Sequence, residues 1–158
     1  YFIEVFIISV QIKMTGSGDS CDLQRFVEAQ DPVIEDVKKE LRSGRKRTHW
    51  MWFVFPQIEG LGRSRRAQRY AISSRDEAKA YLAHPILGQR LRECTELVNA
   101  IERRSADEIF GSPDDLKFRS SMTLFDTVAD ESTPFRMALK LYYDNEPDSK
   151  TLELLEGD

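Results

Sequence analysis

Apolar positions recur at three- and four-residue spacing from Asp22 onward, the period of helices that bury one stripe. Asp22 is placed to cap a first helix, Leu23 to Gln30, with Phe26 and Val27 or Gln30 facing inward. Asp31-Pro32 predicts the start of a second, carrying Val33, Ile34, Val37 and Leu41 and closed by Gly44 in a left-handed cap. Ser64 can cap a helix with Ala67, Tyr70 and Ala71. Ser74-Arg75-Asp76-Glu77 reads as a capping box opening a helix that ends near His84. Pro85 restarts the chain into the longest amphipathic segment, marked by Leu87, Leu91, Cys94, Leu97, Val98 and Ile101. Further helices are expected from Ser105 to Phe110, from Ser112-Pro113-Asp114-Asp115 through Phe125, from Thr133-Pro134 past Tyr142, and after the cap Asp148. No repeat and no βαβ alternation interrupts the pattern. The expected fold is therefore all-α, a compact single-domain multihelical bundle with short loops over residues 21–158.

Upstream of this domain, Tyr1 to Lys13 is apolar but falls short of the ~20 residues of a spanning helix, and it carries Glu4. It lacks the basic start and small-residue cleavage site of a signal peptide. Because Met14 introduces the polar run Thr15-Gly16-Ser17-Gly18-Asp19-Ser20, residues 1–13 are expected to lie upstream of the natural start. Residues 1–20 then form a non-native or flexible extension. An edge strand is the competing reading, given the β-branched content.

Composition adds little until charge is placed along the chain. With 41% hydrophobic and 32% charged residues the protein reads as globular, and a net charge of -4 gives no general attraction to nucleic acid. Yet Arg42 to Arg69 holds eight basic residues against Glu59 alone, a local balance of +7 while the remainder stands at -11. Such a focused field steers phosphates or carboxylates even on an acidic protein; a solvated basic face is the bland alternative. Cys21 and Cys94, 73 positions apart with no close-spaced ligand pattern, point to reduced thiols and a cytoplasmic location.

Several motifs together resemble the family called domain of unknown function 1810, over Asp22 to about Leu155. They are Leu23-Gln24-Arg25-Phe26-Val27-Glu28-Ala29-Gln30, Gly44-Arg45-Lys46, His49-Trp50-Met51-Trp52-Phe53 with Phe55-Pro56-Gln57, Gly60-Leu61-Gly62, Glu77-Ala78 with Tyr81-Leu82, and Lys117 with Ser120-Ser121-Met122-Thr123-Leu124-Phe125. The resemblance implies a small, mainly helical protein, found chiefly in bacteria and sometimes mislabelled calpastatin, with no established activity. True calpastatin repeats are disordered, whereas this chain has a large apolar content at helical spacing.

The chemistry has to be argued from the residues. The run Thr48 to Gln57 holds both tryptophans and His49, with Arg45-Lys46-Arg47 before it and the Gly60 to Arg66 loop, including Ser64, after it. Whether helical or extended, it puts its rings on more than one side. The tryptophans are either core anchors or the wall of a pocket in which a planar ligand stacks while Arg45 and Lys46 hold its anionic group. His49 is the candidate general base, against the commoner structural role of a lone histidine. No metal site is expected, since His84 stands 35 positions from His49 and no ligand spacing accompanies either. A second cluster lies at Lys117, Ser120 and Ser121, which share one face of a helix and offer donors to phosphate or carboxylate. The serines can equally bond back to the helix. A serine nucleophile is disfavoured for want of an elbow motif and a base. Gly60-x-Gly62 without a preceding strand is no dinucleotide fingerprint.

These readings converge on a small anionic ligand, nucleotide-like or phosphorylated, bound by Arg45, Lys46, Trp50, Trp52, Gln57, Ser64, Lys117, Ser120 and Ser121, with His49 as the residue for chemistry if the protein is an enzyme. No cofactor and no membrane are implied, and the oligomeric state is not encoded in any motif. The alternative is an interaction module whose basic segment docks an acidic partner. Single-stranded nucleic acid is a weaker fit, because the aromatics are concentrated in one run rather than spread along a groove.

Overall fold

Residues 22–131 and 133–157 are described by the computed structural model. They fold into α1 (Gln24–Gln30), α2 (Ile34–Arg42), α3 (Met51–Val54), α4 (Arg65–Arg69), α5 (Arg75–Ala83), α6 (Leu87–Asn99), α7 (Ala106–Phe110), α8 (Asp114–Val128), α9 (Thr133–Tyr143) and α10 (Ser149–Glu156). The all-α expectation holds. Among the described residues the β-type pairing is confined to an isolated bridge, in which Ile72 N–H donates to Gln57 O and Glu59 N–H to Ile72 O, each at 2.8 Å. The expected extension over residues 1–20 and Cys21 lie outside the described residues.

Local side-chain chemistry sets four of the helix starts. Ser64, Ser74, Ser105 and Asp148 each accept the N–H three residues on, satisfying a donor that a helix start leaves open. Ser105 and Glu108 form a full capping box. The box expected at Ser74 is only half made, because Glu77 Oε1 accepts from Ser73 N–H and Oε2 faces Arg25. Two starts differ from expectation. Leu23, not Asp22, stands at the N-cap of α1, and α2 begins at Ile34 after a turn over residues 31–33. Asp31 stays helical as the C-cap of α1, and its carboxylate pairs with Arg90 at 2.8 Å, so a long-range ion pair has taken the side chain that would have capped α2.

The sequence from Ser120 to Phe125 contains no charge, and a helix that is uncharged all round belongs inside. Accordingly α8 is the central helix, with Phe118, Ser120 to Phe125 and Val128 buried. Against it pack α3, α5, α7, α9 and α10; α6 lies outside, against α2, α5 and α9, and α1 covers α3. Phe118 stacks on Phe110 with centroids 4.7 Å apart and meets the edge of Phe55 at 4.9 Å. This aromatic layer ties α7 and the end of the tryptophan run to the central helix.

The corner between α5 and α6 depends on Gly88. A Cβ there would stand 2.1 Å from Leu82 O, so nothing larger than hydrogen fits without displacing backbone. Gly88→Ala is expected to cost about 1–3 kcal/mol of stability, as overpacking does; an unchanged urea midpoint would show that the corner is not tight.

Candidate anion-binding site

The tryptophan run is placed by a carboxylate ten residues upstream. Glu40, near the end of α2, is buried and accepts from Arg47 N–H (2.7 Å), Thr48 N–H (3.1 Å), Thr48 Oγ1 (2.6 Å) and Trp50 Nε1 (2.9 Å). Burial pulls its pKa up, but these four bonds outweigh burial and hold the carboxyl below its ordinary range. Gly44, at φ +86°, supplies the left-handed turn that returns the chain toward Glu40. Lys46 N–H then donates to Ile109 O at 2.8 Å, fixing the loop to α7.

Held this way, the two indoles separate. Trp50 is 1% exposed and belongs to the core, its N–H satisfied by Glu40. Trp52, two residues on, is half-buried, with the Arg66 guanidinium 5.0 Å and the Lys117 ammonium 5.3 Å from its ring centroid. Lys46 Nζ lies 5.3 Å from the Trp50 ring centroid and 3.0 Å from Asp114 Oδ2, while Lys117 Nζ is 3.3 Å from Asp114 Oδ1. The structure thus gathers Lys46, Trp50, Trp52 and Lys117 from three segments, with Arg66 and Asp114 added. Such cation–ring contacts are worth about 0.5–2 kcal/mol each, so the rings hold the charges in place.

The other candidates are dispersed. Arg45 and His49 are exposed and make no side-chain hydrogen bond among the described residues. Gln57 is half-buried and contributes its backbone carbonyl to the bridge with Ile72. The Ser64 hydroxyl caps α4. Ser120 Oγ donates back to Leu116 O at 3.2 Å, and Ser121 Oγ is buried with no hydrogen-bond partner. Clefts of about 680 Å³ (between α5, α6 and the segment after α8), 470 Å³ (between the ends of α2 and α6) and 450 Å³ (beside Gly60 and Gly62) have neither Trp52 nor Lys117 in their walls. The cluster is a surface site.

Glu40 and Asp114 are not among the candidates named from the sequence, and Arg66 enters there only as the end of the basic loop. Asp114 stands one turn before Lys117, a readable spacing for an ion pair. Glu40 gave no signal, because its partners are set by a non-helical loop. Among the described residues no group of His, Cys, Asp and Glu is arranged to hold a metal, and no helix is long and apolar enough to cross a membrane.

A family model described as protein of unknown function (DUF1810) matches residues 20–155. The chain belongs to this family. It is also similar to a solved structure, the conserved hypothetical protein Rv1873 from Mycobacterium tuberculosis, with a TM-score of 0.85 and 58% identity over 85% of this chain and 96% of that one. Comparison with curated proteins gave no match. Several residues of the DUF1810 motifs in this chain have structural duties. Gln30 Nε2 donates to Phe53 O (2.7 Å) and to Tyr81 Oη (3.0 Å), linking α1, α3 and α5. Arg25 pairs with Glu77 at 3.2 Å. Lys46, Trp52 and Lys117 are the DUF1810 motif residues that come together at the surface cluster.

Proposed function

We propose that this protein binds a small anionic ligand on the face formed by the loop leading into α3, α3 itself, the start of α4 and the first turns of α8. The supporting observation is the placement of Arg66 and Lys117 on one half-buried ring, Trp52, with Lys46 and Lys117 sharing the Asp114 carboxylate. Two lysines share one carboxylate and Arg66 lies against the same ring as Lys117, so the three cations repel one another and a bound anion reduces that cost. His49 has no orienting partner among the described residues, so the proposal assigns it no chemical step.

The test is a thermal-shift screen against nucleotides, nucleotide sugars, phosphosugars and carboxylates. A ligand at a hundredfold excess over its Kd stabilises by about 2.7 kcal/mol, roughly 5–10 °C for a domain of this size. Lys117→Ala is expected to abolish the shift while moving the melting temperature of the free protein by no more than about 2 °C. Failure of every anionic class to shift the wild-type protein rejects the reading. The acidic-partner reading draws on Arg45, Arg47, Arg63 and Arg65, which are exposed outside the cluster. It predicts salt-sensitive binding of an acidic peptide that survives Lys117→Ala and is lost when those arginines are replaced.

A further inference from the structure

Asp114 bridges two lysines, and the two halves of the bridge differ. The Lys46 side chain is 7% exposed and Lys117 27%, so the Lys46 half is desolvated while the Lys117 half is open to water. A partly exposed pair one turn apart on a helix contributes little. A buried ammonium left without its carboxylate is costly. An incoming anion can therefore take the Lys117 ammonium while Asp114 stays on Lys46.

We propose that Asp114 is an internal competitor at the anion site, exchanging Lys117 with the ligand and so selecting phosphoryl anions of two or more charges over monocarboxylates. This deepens the reading of the basic face as an anion site and rests on it. A monocarboxylate arriving at Lys117 only replaces one carboxylate by another, and it loses its freedom of movement in doing so. A phosphoryl anion carries further charge and further oxygens, and Arg66 adds a second cation against the same Trp52 ring, at most about 10 Å from Lys117, whose field favours the more highly charged ligand. The ring serves to hold the cations, so no planar group is required of the ligand. The neighbouring Asp115 takes no part in the bridge, since its Oδ1 accepts from Leu116 N–H.

Titration calorimetry of the full chain with inorganic pyrophosphate and with acetate tests this on the wild type, Asp114→Asn and Lys117→Ala. Asparagine keeps an amide oxygen to accept from Lys46 while leaving Lys117 uncontested. Asp114→Asn is expected to bind pyrophosphate at least about fivefold more tightly and to acquire measurable acetate binding; Lys117→Ala is expected to lose both. Unchanged or weaker pyrophosphate binding by Asp114→Asn, with Lys117→Ala still weaker, overturns the competitor role and leaves the anion site standing. No binding by any of the three overturns both. Should Asp114→Asn melt early, crystals of the wild-type chain soaked in pyrophosphate must show Lys117 Nζ on the anion with Asp114 still paired to Lys46; an intact Asp114–Lys117 pair beside bound pyrophosphate overturns the competitor role.

Discussion

Glu40→Leu is expected to lose about 3 kcal/mol or more of stability, since a buried donor left without an acceptor costs roughly 1–3 kcal/mol. Trp50 Nε1, enclosed in the core, bears that cost in full; the Arg47 and Thr48 N–H groups recover part of it from water. Glu40→Gln keeps one acceptor oxygen and should cost about 1–2 kcal/mol at pH 7. The two also differ from wild type in pH response. Burial raises the Glu40 pKa, and the bonds from Thr48, Arg47 and Trp50 more than reverse this, so the folded value lies below the unfolded one. Its contribution is then complete above the unfolded pKa of about 4.3, and it is lost as pH falls through the lower folded value. Urea unfolding at pH 7 and pH 3 should show the gap between wild type and Glu40→Gln narrowing with acid; a constant gap would mean that the carboxylate charge contributes nothing.

Arg25→Leu is the second severe case, with an expected loss of about 3–5 kcal/mol, the range for stripping one partner from a buried pair. Glu77 has a side chain 3% exposed and would be left with its charge and the bond it accepts from Ser73 N–H. The same change removes the guanidinium bonds to Arg69 O and Ala71 O, both at 2.8 Å, and the bond to Asp22 O. Adding Glu77→Met should restore part of the loss, because the uncompensated charge goes with it. A double-mutant cycle on denaturation midpoints checks this. A single-variant cost under about 1 kcal/mol would reduce the pair to a surface contact.

What the sequence made legible was chemistry acting within one turn. The caps at Ser64, Ser74, Ser105 and Asp148 need only a hydroxyl or carboxylate three residues from an open N–H. The core stripes of α2 and α6, with Ile34, Val37, Leu41, Leu87, Leu91, Cys94 and Val98 buried, need only helical spacing. Features decided across the fold were not legible. Asp31 was free to cap α2 until Arg90 claimed it. Trp50 and Trp52 were equivalent until Glu40 drew one indole inward and left the other to Arg66 and Lys117. Lys117 and Ser121 do share a helical spacing, but which part of that face meets solvent depends on how far along α8 its neighbours extend.

The attachments of α1 also order the events of folding. A seven-residue segment is too short to persist as a helix by itself. The groups that secure this one lie far along the chain: Phe53 O is 23 residues from Gln30, and Arg69 O, Ala71 O and Glu77 lie 44, 46 and 52 residues from Arg25. On the ribosome α1 is the first described helix to be synthesised, yet its attachments are not complete until α5 has emerged. It is made early and docks late.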